Sequence, residues 1–131
     1  MILVDTGAWF ALSVAVDPDH GAARKFVEFN RDPLFTTDYI VDELLTLLRM
    51  RRQAQRAILW LDEVLAAGGV NLTRITSADF DRATTIYRVY SDKQWSFTDC
   101  TSFAVMERLR ISTAFAFDDH FRQFGTLKVV P

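Results

Sequence analysis

Three aspartates that are far apart in the sequence share a position that could support chemistry. Asp5 directly follows the apolar run "ILV", and Asp118 directly follows the apolar run "STAFAF". Asp99 lies in "SFTDCTSF", at the start of a predicted helix and directly behind Thr98. If the two runs are parallel strands, their carboxyl ends meet at one edge of the sheet, where helix starts also lie. The pattern therefore predicts that the three carboxylates converge on one rim.

A fourth acid, Glu43, lies in the helical segment "YIVDELLTLLR". Helical spacing places Glu43 beside Ile40 and Leu47, so its side chain borders the core, whereas Asp42 points to solvent. A carboxylate at the core margin is uncommon unless it is paired or holds a metal. Glu43 could also pair with an arginine, such as Arg49 or Arg82.

Each aspartate also has a purely structural interpretation. Asp5 could cap the helix that follows it, and Asp99 could be a first-turn acid favoured by the helix dipole. Asp118 and its neighbour Asp119 could be turn residues. Carboxylates that share one site repel one another and have raised pKa values unless a cation intervenes. Convergence of all four acids therefore favours a Mg²⁺ or Mn²⁺ site, and an all-oxygen ligand set argues against zinc.

The elements that must position these acids alternate between strand and helix. The predicted strands are residues 2–5, "PLFTT", "VNLTRI", "STAFAF" and "LKVV". The predicted helices are residues 7–15, about 18–30, 38–51, "QRAILWLDEVLAAGG", "TSADFDRATTIYRVYS" and about 98–110. Their caps are Asp17 for the second, Thr37 or Asp38 for the third, and Thr76 with Asp79 for the fifth. This alternation predicts an α/β three-layer sandwich with a mostly parallel central sheet flanked by helices.

Composition limits the class of protein. The chain has 131 residues, half of them hydrophobic, which fits one domain spanning residues 1–131. It contains no apolar run of membrane-spanning length, so we expect no membrane association. The single cysteine, Cys100, excludes an internal disulfide and predicts a cytoplasmic protein. The net charge of −2 gives no general affinity for nucleic acid, but acids gathered in one site would leave the remaining surface more basic.

Other features carry weaker signals. The segment "RMRRQAQR" is the only dense basic run, and its four arginines are either a solvated helix end or contacts to nucleic-acid phosphates beside the acidic pocket: Arg49, Arg51, Arg52 and Arg56. His20 and His120 have no partner at metal-binding spacing and are interpreted as surface residues. Cys100 is interpreted as a buried thiol. The helical aromatics are interpreted as core residues: Trp60, Phe80, Tyr87 and Phe103.

Taken in order, the acidic segments resemble the PIN domain, and in particular the small VapC-type toxin ribonucleases. The resemblance covers the whole chain and rests on "ILVDTGAWFAL", "VDELLTLLR", "SFTDCTSFAVMERL" and "TAFAFDDHF". The acids of the family fall on Asp5, Glu43, Asp99 and Asp118, with the usual small hydroxyl at Thr6. Two positions depart from the pattern, since Ala116 stands where Thr or Ser is frequent and Cys100 where Ala is common. Asp119 is a rival for the fourth acid.

The resemblance implies a metal-dependent endoribonuclease that hydrolyses RNA phosphodiester bonds. Asp5 and Asp99 would hold Mg²⁺ or Mn²⁺ directly, with Asp118 and Glu43 bound directly or through water. Thr6 could hydrogen-bond a carboxylate or the attacking water, and Thr98 and Asp119 are further supporting candidates. The resemblance also implies a cognate antitoxin protein and a homodimer.

Three alternatives remain open at the level of sequence. The first is a PIN-domain nuclease that is not a toxin, or one that acts on DNA. The second is a non-catalytic module that binds RNA or protein on the same scaffold. The third is a phosphoacceptor fold, either a haloacid-dehalogenase-like phosphatase or a response-regulator receiver. The phosphatase needs a second aspartate where Gly7 stands, and the receiver needs one at the end of "VNLTRI", where there is none.

Overall fold

A sheet of five parallel strands lies at the centre of the protein. The computed structural model describes residues 1–131, and the strand order is β3-β2-β1-β4-β5. The strands are short: β1 (Ile2–Val4), β2 (Leu34–Thr37), β3 (Asn71–Thr73), β4 (Thr113–Phe115) and β5 (Lys128–Val130). Leu3 and Val4 of the central strand are completely buried, as expected for a parallel sheet covered on both faces.

Six α-helices connect and cover the strands. They are α1 (Thr6–Ser13), α2 (His20–Phe29), α3 (Asp38–Met50), α4 (Ala54–Leu59), α5 (Ser77–Val89) and α6 (Phe97–Leu109). The helix α4 continues as a π-helix, Trp60–Ala66, and a short 3₁₀ helix, Phe121–Gln123, precedes β5. Gly68 follows the π-helix with a φ of 77°, a left-handed conformation that suits glycine at a helix end.

The strand order explains why the helices form two layers. Parallel crossover connections are right-handed, so reversing the direction of travel along the sheet moves the connecting helices to the other face. The chain steps from β1 through β2 to β3, which places α1 to α4 on one face. It then returns past β1 to β4, which places α5 and α6 on the opposite face. The predicted α/β sandwich with a parallel sheet is confirmed.

The reversal lies between β1 and β4, which are hydrogen-bonded neighbours. Leu3 pairs with Ala114, and Val4 pairs with Phe115. A crevice outside the carboxyl ends of the strands is the usual ligand site of such a sheet. Asp5 and Asp118 follow these two strands, so the topology brings them to the same edge.

Several predicted boundaries need correction. The helix predicted from residue 18 with Asp17 as its cap begins at His20, because the Asp17 side chain accepts a hydrogen bond from the Asp19 backbone (2.9 Å) and holds a turn there. β4 ends at Phe115, two residues earlier than predicted. The helix α6 is capped by Ser96, two residues before Thr98.

Other predictions about the elements have mixed outcomes. The capping roles of Thr37 and of Thr76 with Asp79 are confirmed. Trp60 and Phe103 lie in the core, but the same prediction was wrong for Phe80 and Tyr87, which are 43% and 54% exposed although both rings pack against Phe97. None of the helices is both long and apolar enough to cross a membrane.

Candidate active site

Asp5 is a buried carboxylate at the junction of β1 and α1. Its backbone N–H donates to the carbonyl of Phe115 (3.0 Å) and so continues the ladder between β1 and β4. Asp5 occupies the N-cap position of α1, but its side chain makes no capping hydrogen bond. The residue is only 4% exposed. The capping interpretation therefore does not explain the burial of this acid.

The other three predicted acids lie close enough to Asp5 for their charges to affect its pKa. Burial raises the pKa of Asp5 well above its usual range, and the charges of Asp99, Asp118 and Glu43 raise it further, while the Thr6 amide offsets part of the effect. No arginine or lysine contributes to this balance. The structure thus brings the four carboxylates into one negative environment, in which no basic side chain acts on Asp5 and only His120 contacts Asp99 and Asp118.

The carboxylates do not form a closed ligand cage. No group of three or more His, Cys, Asp or Glu side chains stands close enough to hold a metal ion in the arrangement described. Like charges separate the acids, and Asp99 is engaged by hydrogen bonds of its own. Closure around a cation would therefore require side-chain rotation of at least one acid.

Asp99 lies in the first turn of α6 and forms a capping box with Ser96. Its backbone N–H donates to the Ser96 hydroxyl (3.0 Å), and its Oδ2 accepts from the Ser96 backbone N–H (3.0 Å). Burial raises the pKa of Asp99, and the hydrogen bonds from Ser96 and His120 offset part of this rise. Asp99 is thus a first-turn capping residue, as one interpretation predicted. Capping alone does not explain why its carboxylate is buried.

Asp118 and Asp119 have different surroundings although they are adjacent. Asp118 Oδ1 accepts from the His120 backbone N–H (3.0 Å), and the charge of Asp118 reaches both Asp5 and Asp99. The side chain of Asp119 is 81% exposed and lies 3.5 Å from Arg122. Asp118 is therefore the acid that belongs to the cluster.

Glu43 is half-buried on α3 and forms no ion pair. The pairing with Arg82 considered from the sequence does not occur, because Arg82 binds Glu107 at 2.9 Å. Arg49 is six residues further along α3, about 9 Å along the helix axis. Glu43 thus has no ion-pair partner, and its charge contributes to the raised pKa of Asp5.

The hydroxyl of Thr6 is a second unexplained polar group beside Asp5. Its Oγ1 is buried and has no hydrogen-bond partner. Most buried hydroxyls are hydrogen-bonded, so an unpaired hydroxyl next to a buried carboxylate is available to a ligand. A divalent cation with oxygen ligands fits both features, because it neutralises the acids and brings water that the hydroxyl can bind. Thr98 is half-buried, and its carbonyl accepts from Thr101 (2.7 Å).

The predicted RNA-binding arginines lie away from these acids. They are exposed at the C-terminal end of α3 and in α4, whereas Glu43 is in the second turn of α3: Arg49, Arg51, Arg52 and Arg56. The structure does not bring them beside the carboxylates. Their contact with RNA phosphates stays a prediction.

His120 was missed as a site residue, and its interpretation as a surface residue was wrong. Its Nδ1 lies 2.8 Å from Asp99 Oδ2, and its side chain is 30% exposed. The available signal was the triplet "DDH" directly after a strand that ends at the site. His20 lies at the other end of α1 from Asp5, where its Nδ1 contacts the Ala11 carbonyl (2.7 Å). Cys100 is buried as predicted, and burial raises the pKa of its thiol to about 11.

Five parallel strands with acids gathered at the point where the strand order reverses define an α/β protein with an acidic cluster at the carboxyl edge of its sheet. The chain belongs to the PIN domain family, whose family model matches residues 2–127.

Individual relatives extend this assignment over the full length. The chain is 34% identical over 132 residues to the 23S rRNA-specific endonuclease VapC20 of Mycobacterium tuberculosis, covering 100% of this chain and 99% of that protein. It is 28% identical over 131 residues to Ribonuclease VapC26 of the same organism, covering 98% of this chain and 93% of that protein.

Solved structures agree with the fold. The crystal structure of M. tuberculosis VapC20, described as a sarcin–ricin loop cleaving toxin, superposes with a TM-score of 0.92 at 30% identity, covering 100% of both chains. A toxin–antitoxin complex from Klebsiella pneumoniae gives a TM-score of 0.70 at 16% identity, covering 100% of this chain and 97% of that chain. At that identity the second likeness supports the fold alone.

Proposed function

We propose that this PIN-domain protein is a Mg²⁺- or Mn²⁺-dependent endoribonuclease and the toxin of a toxin–antitoxin pair. The observation that carries the proposal is Asp5, a carboxylate only 4% exposed and surrounded by Glu43, Asp99 and Asp118 without a basic partner. A protein does not maintain such a charge cluster for stability, because each acid raises the cost of ionising the others. The nuclease activities named for VapC20 and VapC26 support the same conclusion.

The residues of the site have distinct tasks in this proposal. Asp5 and Asp99 bind the cation directly, and Asp118 and Glu43 bind it directly or through water. When bound, the cation polarises a phosphoryl oxygen and lowers the pKa of a water molecule. The unpartnered hydroxyl of Thr6 is free to orient a carboxylate or the attacking water. The burial of Asp5 keeps bulk water away and strengthens these electrostatic interactions.

The substrate and partners follow from the relatives. We propose RNA as the substrate, with 23S rRNA as the first to test, because VapC20 is named for cleaving it. A cognate antitoxin is proposed because the VapC20 structure, 30% identical to this chain over its full length, is described as that of a toxin. We further propose a single domain over residues 1–131, a homodimer, and activity in the cytoplasm, where ribosomal RNA is found.

The test is RNA cleavage by the purified full chain with 23S rRNA and intact ribosomes, with Mn²⁺ or with EDTA. We expect cleavage only with the cation, and a loss of more than about 100-fold in Asp5→Asn and Asp99→Asn. The chain provides matched controls, since Asp42 and Asp119 are exposed neighbours of Glu43 and Asp118. Asp42→Asn and Asp119→Asn should retain activity, whereas Glu43→Gln and Asp118→Asn should lose it.

Cleavage that persists in Asp5→Asn, or that is equally fast in EDTA, would contradict the metal-dependent nuclease. RNA binding without cleavage in the wild type would favour the non-catalytic module. A single-stranded DNA substrate in the same assay distinguishes a nuclease with another target. Growth arrest on expression, relieved by coexpression of the adjacent antitoxin gene, tests the toxin assignment separately.

A further inference from the structure

His120 contacts two acids of the site through different atoms. Its backbone N–H donates to Asp118 Oδ1 (3.0 Å), and its ring Nδ1 lies 2.8 Å from Asp99 Oδ2. The same Nδ1 is 3.8 Å from Asp118 Oδ2. His120 is therefore a bridge between the loop after β4 and the first turn of α6.

The direction of the contact follows from the ionised form that Asp99 takes as a cation ligand. An ionised carboxylate can only accept, so Asp99 Oδ2 accepts from the imidazole, which carries its proton on Nδ1, and also from the Ser96 backbone N–H at 3.0 Å. Two donors thus hold Oδ2, one from the helix cap and one from His120. Oδ1 of Asp99 has no partner within the protein and is the oxygen left for a ligand.

The imidazole is held in place by the residues that follow it. Phe121 is completely buried, and its ring packs edge-to-face on Phe103 at 5.1 Å. The carbonyl of His120 accepts from the Gln123 backbone N–H (3.1 Å) and so begins the 3₁₀ helix. These contacts fix the backbone of His120, and the ring is then held by its contact with Asp99, as expected for a group that orients another side chain.

We propose that His120 is a positioning residue that orients Asp99 for a divalent cation, by donating from Nδ1 to Oδ2 so that Oδ1 remains available. This inference rests on the proposed function, because it assumes that Asp99 is a ligand of the cation. In this proposal His120 acts through Asp99 and is not itself a ligand of the cation. Its task is that of the outer partners that fix ligand orientation in metal sites, whose loss typically costs about 10–100-fold in affinity.

The experiment measures Mn²⁺ binding to the full chain by calorimetry, without RNA. In His120→Asn the amide nitrogen can occupy the position of Nδ1, whereas in His120→Gln it reaches only the position of Nε2. We expect His120→Gln to weaken Mn²⁺ binding about 10-fold and His120→Asn to remain within about 3-fold of the wild type. His20→Gln is the matched control, since it removes an imidazole contact with the Ala11 carbonyl, at the other end of α1 from Asp5, and it should leave Mn²⁺ affinity unchanged.

Electron spin-echo measurements on the Mn²⁺-loaded wild type complete the test. A histidine nitrogen coupled directly to Mn²⁺ would make His120 a ligand and overturn the positioning role, as would wild-type affinity in His120→Gln. Circular dichroism and thermal unfolding establish that the variants are folded. If the wild type binds no Mn²⁺ at millimolar concentration, the proposed function fails together with this inference. Binding that is equal in the wild type and His120→Gln overturns the inference alone.

Discussion

At the scale of single residues, Asp5 is a charge that the protein keeps at a cost. The carboxylate is buried, its neighbours are acids, and no basic side chain compensates it. Its pKa in the folded chain is raised, so the folded state binds this proton more tightly than the unfolded state does. The stabilising contribution is complete below the unfolded pKa, near 3.9, and is lost as pH rises through the folded value.

We predict that Asp5→Asn stabilises the metal-free protein at neutral pH, because asparagine keeps the shape and removes the buried charge. Each unit of pKa shift corresponds to about 1.4 kcal/mol, and 1 kcal/mol moves Tm by about 3–5 °C in a domain of this size. We therefore expect Tm to rise by about 3–8 °C at pH 7.5 in EDTA, measured by calorimetry.

The gain of Asp5→Asn should shrink towards pH 4, where the wild-type carboxyl is protonated and no longer costs charge burial. The two proteins share all other titrating groups, so the difference in their Tm at each pH reports the effect of Asp5 alone. An equal or lower Tm for Asp5→Asn at pH 7.5 would show that Asp5 is compensated in the folded chain by a partner that the structure does not contain.

At the scale of elements, α5 and α6 are joined by two ion pairs of unequal burial. Arg108 binds Asp79 with two hydrogen bonds, Nε to Oδ1 (2.8 Å) and a terminal nitrogen to Oδ2 (2.9 Å). Asp79 is 2% exposed and also accepts from the Thr76 backbone N–H at the start of α5. Arg82 and Glu107 form the second pair, with both side chains more than 40% exposed. Asp79 thus serves as a helix cap and as the anchor of a bridge between helices.

We predict that Asp79→Asn lowers the free energy of unfolding by about 1–2 kcal/mol at pH 7, allowing for the solvent exposure of Arg108. The hydrogen bonds from Arg108 lower the pKa of Asp79. The contribution is therefore present above the unfolded pKa and is lost as pH falls through the folded value. Urea unfolding at pH 7 and at pH 3 measures both effects.

The matched control for Asp79 is Glu107→Gln, which breaks the exposed pair between the same two helices. Exposed pairs contribute little, so a loss below about 0.5 kcal/mol is expected. Equal losses in the two variants would mean that the burial of Asp79 adds nothing to the bridge.

At the scale of the whole molecule, an aromatic cluster connects the helix that carries Asp99 to the segment that carries Asp118. Phe103 of α6 is completely buried and stacks on Phe124 with centroids 4.4 Å apart. Phe121 and Trp95 pack edge-to-face on the same ring, at 5.1 and 5.0 Å. Two acids from distant parts of the sequence are therefore held at one rim by a shared hydrophobic support.

We predict that Phe103→Leu lowers the free energy of unfolding by about 1–2 kcal/mol and also weakens Mn²⁺ binding, since the supports of Asp99 and Asp118 loosen together. Urea unfolding and calorimetric titration with Mn²⁺ measure the two effects. Phe29→Leu is the control, because Phe29 is 68% exposed and its replacement should cost less than about 0.5 kcal/mol. Wild-type Mn²⁺ affinity in Phe103→Leu would show that the aromatic cluster does not determine the positions of Asp99 and Asp118.

The sequence alone predicted the sheet class, three of the four acids, and a fourth at either Asp118 or Asp119, because strand and helix periodicity and the position of an acid after a strand are local properties. Asp5 and Asp99 were identifiable by such position, and the choice of Thr37 and Thr76 as caps needed only a few neighbouring residues. The order of the strands, the selection of Asp118 over Asp119 and the hydrogen bond from His120 to Asp99 were decided by the tertiary structure. These features depend on which distant segments become neighbours. The packing of all segments around one common core decides those neighbours, and no local sequence pattern specifies them.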